Sequence, residues 1–220
     1  MLDLLLPQRC LVCAAPGAQV CHACASSLPR LTPPWCDRCG APTAWPVQRC
    51  SECSGRRVAF ACARAAVEYD ARVRRIVAAW KERGLRRLAA WAASVVAETV
   101  DRPDAECVAF VPADVNRRLR RGHHPAEQLA RALASTWELA LEPALVRVRG
   151  SPRQRGLTRL DRRRNVAAAF HAERRVPSTV VLVDDIYTTG ATANASASAL
   201  RKAGARHVEV VTFARTIRIR

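Results

Sequence analysis

Two neighbouring carboxylates followed by a hydroxyl-rich loop form the most chemically informative stretch of this 220-residue chain. Asp184 and Asp185 come after Val180–Val183, four β-favouring apolar residues that predict a strand buried on both faces, as in a parallel sheet. The segment after them is Thr188-Thr189-Gly190-Ala191-Thr192. Carboxylates accept hydrogen bonds from a diol, and small residues let backbone amides approach a phosphate closely. The pattern predicts a phosphate cradle beside a diol-binding acidic pair.

A helix must follow this loop if the cradle is to work. The Ala-rich segment from Asn194 to Ala203 predicts one, with Gly204 as its C-cap. The N-terminus of such a helix offers unpaired N–H groups and a positive dipole end to an anion, and ligands of open α/β sheets lie beyond the carboxyl ends of the strands. The alternative is an ordinary βα turn whose aspartates cap the helix or face solvent.

Eight cysteines in four C-x-x-C pairs define a second kind of chemistry in the first 55 residues. Two such pairs can complete a tetrahedral zinc site with four thiolates. Taken in sequence order, the pairs predict two structural zinc sites, formed by Cys10, Cys13, Cys21 and Cys24 and by Cys36, Cys39, Cys50 and Cys53. A cross-braced pairing is the alternative arrangement. Disulfides and an iron–sulfur cluster are the alternative chemistries, and the absence of a secretory signal disfavours disulfides.

The composition limits the classes of protein to which the chain can belong. No apolar run approaches the ~18–20 residues of a membrane span, and Met1–Pro7 is too short and too acidic for a signal peptide. We therefore expect a cytoplasmic protein without membrane insertion. The net charge of +17 favours polyanionic partners such as nucleic acid or pyrophosphate, unless the arginines form a solvated surface.

The chain between the cysteines and the acidic pair reads as alternating strands and helices. Strands are predicted at Ala61–Tyr69, Cys107–Val111 and Ala144–Val148, helices at Asp70–Gly84, Leu85–Val100 and from Ala126 onward, and a last strand at Val208–Phe213 beside Val180–Val183. The order indicates an α/β fold with a parallel sheet flanked by helices. The basic loop that ends in Arg121-Gly122 lies between a strand and a helix and is a second candidate anion site.

The acidic pair and its loop resemble the phosphoribosyl-pyrophosphate (PRPP) motif of type I phosphoribosyltransferases. By that resemblance, Asp184 and Asp185 bind the ribose hydroxyls, while Thr188, Thr189, Gly190, Ala191 and Thr192 surround the 5′-phosphate. PRPP would bind together with Mg²⁺.

The chain as a whole resembles the ComF family of competence-associated, phosphoribosyltransferase-like proteins with an N-terminal zinc ribbon. The likeness rests on the C-x-x-C pairs, Lys81-x-x-Gly84, the loop ending in Arg121-Gly122, the PRPP motif and a run after Gly150 in which Gln154, Leu157, Arg164, Asn165, Ala169 and Phe170 match. It implies pyrophosphate binding by Arg121 and Gly122. The family usually has Phe-Asn-Gln after this glycine, whereas this chain has His123-His124-Pro125.

The resemblance implies a double zinc ribbon in residues 1–57 and a type I phosphoribosyltransferase-like domain in residues 58–220. It also implies three candidate functions. The first is Mg²⁺-dependent transfer of phosphoribose to an acceptor that no motif identifies, linked to DNA uptake or recombination. The second is a non-catalytic factor that associates with single-stranded DNA or with DNA-processing proteins. The third is a PRPP-sensing regulator.

Overall fold

The computed structural model describes residues 8–114, 122–147 and 169–217. Its N-terminal part contains one short helix, α1 (His22–Ser26), and isolated β-bridges such as Trp35↔Pro42 and Cys36↔Val47. The pattern of short bridges between Pro- and Gly-containing turns agrees with the expected small ribbons.

The rest of the described chain is built on a five-stranded parallel sheet. Its strands and helices in chain order are β1 (Cys62–Glu68), α2 (Ala71–Glu82), α3 (Leu88–Thr99), β2 (Cys107–Phe110), α4 (Pro125–Thr136), β3 (Ala140–Leu141), β4 (Leu145–Arg147), β5 (Phe170–Ala172), β6 (Thr179–Tyr187), α5 (Ala191–Lys202) and β7 (His207–Arg215). The strand order is β1-β7-β6-β2-β3, and β4 pairs with β5 in a separate antiparallel ribbon. The parallel sheet flanked by helices confirms the predicted fold class.

Each face of the sheet is covered by its own apolar layer. Along β6, Val181 and Val183 pack into the core formed with α2, α3 and α4, whereas Val180 and Leu182 pack into the core that contains α5 and Phe170. Alternate residues of a strand point to opposite faces, so the continuous apolar run of β6 is what a strand buried on both sides requires.

Local sequence signals determine where several helices begin. Asp70 caps α2 because its carboxylate accepts a hydrogen bond from the Val73 N–H at 2.8 Å, as predicted. Pro125 occupies the first turn of α4, where its missing N–H costs little. Gly190 precedes α5 with φ of 71°, in the left-handed region.

The structure differs from the sequence expectations at several boundaries. β6 continues through Tyr187, so Asp184 and Asp185 lie within the strand and do not follow its end; pairing with β7 extends to Tyr187↔Arg215 and keeps this segment extended. α5 begins at Ala191, three residues before Asn194, because the turn at Gly190 already starts it. β3 and β5 are too short to give a sequence pattern and were not predicted.

The two ribbon tryptophans have different environments. Trp35 lies under the guanidinium of Arg64 in β1, with 5.1 Å from Cζ to the ring centroid, so it packs against the second domain. Trp45 is 69% exposed and does not pack there. Within the described ranges, no helix is both long and apolar enough to cross a membrane.

Candidate functional site

The acidic pair lies near the carboxyl end of β6, opposite the end of α2. Asp185 pairs with Lys81 of α2 at 2.7 Å between Oδ2 and Nζ, and both side chains are largely buried. The Asp184 carboxylate accepts a hydrogen bond from the Asp185 N–H at 2.9 Å. Sequence reasoning noted Lys81 as part of a motif but gave it no role. A signal was available, because Lys81 is one of two lysines in a chain with 36 Lys and Arg residues.

Asp184 lies in an environment that favours its protonated form. Burial, reinforced by the neighbouring Asp185 carboxylate, raises the pKa of Asp184 to about 8, although the Lys81 ammonium acts in the opposite direction. Such a site can gain a negative charge when a ligand or cation displaces the proton.

The loop after β6 presents the start of α5 to solvent. Thr188 and Thr189 are exposed, and the N-cap position is Gly190, which has no side chain to accept a hydrogen bond from the first helical amides. Those amides lack partners within the helix and lie at the positive end of its dipole. Thr189 Oγ1 accepts from the Ala191 N–H at 3.3 Å, which keeps the turn compact. This arrangement suits a phosphate monoester.

Behind the loop is a cavity of about 20 Å³, lined by Asp184, Tyr187, Thr212 and residues of the loop. This volume accommodates about one water molecule. The cavity is therefore too small for a phosphate group, and only the exposed face of the loop has room for one.

The second predicted anion site is partly visible. Gly122 has φ of 64°, and its carbonyl accepts from Arg86 Nη2 at 2.9 Å, whereas Arg121 lies outside the described residues, as does the arginine-rich run 153–164. His123 is buried and its Nε2 lies 2.8 Å from the Trp80 carbonyl, which holds the loop against the end of α2. The described part of the basic loop thus contacts the end of α2 and the segment that follows it.

The cysteines form two separate four-thiol clusters. The Sγ atoms of Cys10, Cys13, Cys21 and Cys24 all lie within 4.8 Å of one another, and so do those of Cys36, Cys39, Cys50 and Cys53. The pairing in sequence order is confirmed, and the cross-braced alternative is wrong. All ten cysteines fall within the described residues and are free thiols.

The donor set of both clusters fits a zinc ion. Burial raises the pKa of the Cys24 thiol to about 12 and that of the Cys53 thiol to about 11. Burial also opposes ionisation of Cys10 and Cys36, but hydrogen bonds from nearby backbone N–H groups outweigh it and lower their pKa to about 6 and about 7, respectively. A cation at the centre of each cluster would favour the thiolate form of all four cysteines. Zn²⁺ bound by four thiolates is a structural site without an open position.

A basic groove of about 580 Å³ lies between the second ribbon and α5. Five cationic side chains line it, and no carboxylate is among its described lining residues: Arg38, Arg49, Arg57, Arg201 and Lys202. Because α5 rises about 1.5 Å per residue, Arg201 lies roughly 15 Å along the helix from Ala191. The groove is therefore distinct from the loop of residues 188–192, which we call the phosphate loop after its predicted ligand.

Known proteins are similar both to the N-terminal cysteine-rich part of the chain and to almost its whole length. Residues 1–54 match the double zinc ribbon domain family. Competence protein F of Haemophilus influenzae is 28% identical over 208 residues, covering 89% of this chain and 90% of that protein. DNA utilization protein YhgH of Salmonella typhimurium is 28% identical over 229 residues, covering 97% of this chain and all of that protein.

Among solved structures, the chain is similar to a glutamine PRPP amidotransferase from B. subtilis, with a TM-score of 0.39 and 22% identity. The match covers 58% of this chain and 25% of that one. The near full-length similarity to the two bacterial proteins agrees with the likeness predicted from the motifs. The chain is therefore similar over almost its whole length to Competence protein F and DNA utilization protein YhgH and carries a double zinc ribbon at its N-terminus, as the predicted resemblance to the ComF family implies.

Proposed function

We propose that this protein binds PRPP together with Mg²⁺ at the end of β6 and transfers its phosphoribosyl group to an acceptor. The observation that carries the proposal is the juxtaposition of an acidic pair, Asp184 and Asp185, with the N-terminus of α5, where the N-cap residue Gly190 has no side chain. A diol-binding pair and a phosphate-binding helix end separated by a few residues match the two ends of a ribose 5-phosphate.

The side chains of the site divide the binding work. Asp184 and Asp185 accept hydrogen bonds from the ribose 2′- and 3′-hydroxyls, for which both must be ionised. Thr188, Thr189 and Thr192 donate hydroxyl hydrogen bonds to the 5′-phosphate, and amides of the Gly190 turn add backbone donors. When bound, Mg²⁺ would neutralise charge on the diphosphate, and Asp184 or Asp185 would help to hold it directly or through water.

Lys81 gives the site two charge states. In the free protein its ammonium pairs with Asp185. When a ribose hydroxyl replaces Lys81 as the partner of Asp185, the Lys81 ammonium becomes available to the diphosphate. Lys81 therefore compensates the acidic pair before binding and the diphosphate after it.

Transfer needs little covalent chemistry from the protein. The bond between ribose C1 and the diphosphate oxygen breaks, the diphosphate leaves with the electron pair, and a nucleophile on the acceptor forms the new bond to C1. Lys81 and Arg121 stabilise the charge that develops on the diphosphate. The negative charge of Asp185 lies near the cationic ribose of the transition state.

Calorimetry with PRPP and Mg²⁺ tests the proposal. The wild type should bind, and D184N/D185N should weaken binding by at least about tenfold, since two charged acceptors are lost. The matched control is D101N/D104N, which removes two exposed carboxylates elsewhere and should bind like the wild type. Absence of binding by the wild type, or equal binding by both double variants, contradicts the proposal. Release of diphosphate in the presence of candidate acceptors then tests transfer.

A second candidate function, association with single-stranded nucleic acid, is supported by the basic groove. Cations from two different elements converge there: Arg38, Arg49 and Arg57 from the ribbon side, and Arg201 and Lys202 from α5. Two cations in the last turn also stabilise the helix dipole. On the ribbon side, Arg38 donates to the Ala61 and Val58 carbonyls and Arg49 to the Arg56 carbonyl, which holds these two guanidinium groups at the groove. The exposed Trp45 lies four residues from Arg49 and offers a surface for base stacking. The names of the two bacterial relatives agree with a role in handling DNA.

Charge reversal in the groove tests this second function. R57E/R201E/K202E should weaken binding of a single-stranded oligonucleotide at least about tenfold and should reduce the slope of log affinity against log salt by about two, since three phosphate contacts are lost. R74E/R87E/R131E changes three exposed arginines elsewhere and produces the same net charge. If both triple variants lose affinity equally, the binding is a property of net charge and the groove is not its site. Equal competition by polyphosphate would indicate general polyanion binding.

A further inference from the structure

Arg215, at the end of β7, is a buried cation that joins the sheet to the second cysteine cluster. Its side chain is 2% exposed, and its Nη2 pairs with Glu52 Oε2 at 2.8 Å. Glu52 lies in sequence between Cys50 and Cys53, two cysteines of that cluster. Its Nη1 donates to the carbonyl of Cys39, and Nη2 lies 3.9 Å from the Cys39 Sγ. The guanidinium is therefore in contact with a predicted zinc ligand through both the backbone and the sulfur.

The other side of Arg215 contacts the base of the phosphate loop. Its Cζ lies 4.8 Å from the centroid of the Tyr187 ring, which is buried and also packs edge-on against Phe60. The Tyr187 hydroxyl in turn lies against Gly190, where a Cβ atom would approach Oη to 2.2 Å. Arg215 thus contacts the Tyr187 ring, and the Tyr187 ring in turn packs against the turn that begins α5.

A second connection runs from the segment after the ribbon to the same loop. Arg56 Nη1 donates to the Thr189 carbonyl at 2.7 Å, and the Ala59 N–H donates to Asn194 Oδ1 at 2.7 Å. The first contact orients a peptide unit inside the loop, and the second fixes the first turn of α5. Both donors follow Cys53 closely in sequence, so their positions depend on how the second cluster folds.

The electrostatics give the metal a direct role in this contact. Zn²⁺ with four thiolates has a formal charge of −2, and this charge would face the buried guanidinium of Arg215. Without the metal, the ribbon loses its source of folding free energy. Arg215 would then lose its contact with the cluster and its ion pair with Glu52. A buried cation without a compensating negative charge is unstable.

We propose that Arg215 is a positioning residue through which metal occupancy of the second cysteine cluster controls the phosphate loop. The ligand affinity controlled in this way is that of the PRPP site, so this part rests on the proposed function. The first cluster provides an internal comparison, because its contacts are with α2: the Val12 carbonyl accepts from Arg75 Nη1 at 3.2 Å. If the ribbons only contributed to overall stability, loss of metal from either cluster would affect the phosphate loop equally.

Matched single substitutions in the two clusters test the inference. C50S and C21S each alter a half-buried cysteine and should each leave one zinc ion per chain by metal analysis. In amide hydrogen exchange, peptides that contain residues 188–193 should exchange at least about tenfold faster in C50S and unchanged in C21S. This measurement needs no ligand, so it tests the coupling even if the wild type does not bind PRPP.

The reciprocal effect separates positioning from general stability. If metal in the second cluster raises the affinity for PRPP·Mg²⁺, the ligand must raise the affinity of that cluster for the metal by the same factor. With Co²⁺ in place of zinc, saturating PRPP·Mg²⁺ should raise resistance to a chelator about tenfold at the second cluster and not at the first. R215M should retain two metal ions and lose this effect, and R215K should restore part of it. Equal loop exchange in C50S and C21S, or an undiminished ligand effect in R215M, overturns the inference.

Discussion

Asp184, Asp185 and Lys81 form a nearly neutral group in the free protein. Because the pKa of Asp184 is raised to about 8, its proton and the Lys81 ammonium together cancel the charge of the two carboxyl groups at neutral pH. A ligand that needs both carboxylates must displace that proton. Binding should therefore be linked to pH in a range where an ordinary aspartate does not titrate.

The affinity for PRPP·Mg²⁺ is expected to rise as the pH is raised from about 6 to 8 and to level off above the pKa of Asp184. The limit is about tenfold per pH unit for one displaced proton. Calorimetry in buffers of different ionisation enthalpy should also detect proton release on binding at pH 7. D184N should remove the pH dependence; a wild-type affinity that is flat from pH 6 to 8 would contradict the expectation.

The same carboxyl group should make the free protein less stable at higher pH. Its pKa is higher in the folded chain than the ordinary value of about 3.9, so the folded state binds more protons between that value and about 8. The free energy of unfolding should fall as the pH rises through this window, by at most about 1.4 kcal/mol for each pH unit. Denaturant unfolding at pH 5, 6.5 and 8 measures this decline, and D184N should show a shallower one than the wild type.

A double-mutant cycle should reveal strong coupling between Lys81 and Asp185. K81M leaves the Asp185 carboxylate without its 2.7 Å partner and should destabilise the free protein by about 2–4 kcal/mol. D185N should cost less in a background that already contains K81M, with a coupling energy of about 1–3 kcal/mol. The measurement is urea unfolding of the four proteins. Additive costs would show that the ion pair does not stabilise the free site.

At this scale, sequence reasoning identified the residues that lie in motifs and missed those that lie between them. The acidic pair, the loop and the eight zinc ligands were found because their spacing is local. Arg215 and Tyr187 were not found, since each acts through contacts with residues distant in sequence: Arg215 reaches Cys39, 176 positions away. Such contacts depend on the register of β6 and β7, which no local pattern determines.

At the level of elements, the turn between β6 and α5 is the most constrained feature. G190A should destabilise the protein because φ of 71° is unfavourable for alanine and because the new Cβ would lie 2.2 Å from the Tyr187 hydroxyl. G84A is a matched control, since Gly84 has φ of 67° and nothing within 4 Å of an added Cβ. We expect G190A to cost about 1–3 kcal/mol more than G84A. Equal melting temperatures would show that the turn is not shaped by Tyr187.

The sequence predicted whether a segment forms a strand or a helix where its pattern of buried residues is strong. It predicted the first and last residues of these segments less well. The apolar run of β6 and the Asp70 cap of α2 follow directly from side-chain periodicity and capping chemistry. The extension of β6 through its two aspartates did not, because charged residues at a strand end normally suggest a loop. Pairing with β7 overrides that local preference. β3 has two residues, which is too few for a periodicity.

At the scale of the whole molecule, the first ribbon and the segment after it pack against the core formed with α2, α3 and α4, whereas the second ribbon has a small buried cluster of its own. Leu28 is buried in the same cluster as α2, α3 and α4. The Leu31 N–H donates to the Ala66 carbonyl at 2.9 Å, and Arg30 pairs with Glu98 of α3 at 3.0 Å. These contacts cross the predicted boundary at residues 57/58, so the two parts of the chain pack directly against each other.

Zinc release and loss of the sheet should therefore occur in one transition. We expect the zinc-dependent dye signal and the far-ultraviolet circular dichroism to change at the same urea concentration, because unfolding of the ribbon exposes core residues of the second domain. A chelator added beforehand should lower the midpoint of both signals. Zinc release well before the dichroism changes would indicate that the ribbon unfolds alone.

The two lysines of the chain can report binding at two different sites, because amine labelling distinguishes them. Its two lysine side chains lie in two different candidate sites: Lys81 is largely buried against Asp185, and Lys202 is exposed at the edge of the basic groove. An amine-acylating reagent followed by mass spectrometry would read both positions in one sample. A small phosphorylated ligand should alter labelling at Lys81 alone, and an oligonucleotide in the groove should protect Lys202 alone. Each amine then serves as the internal standard for the other.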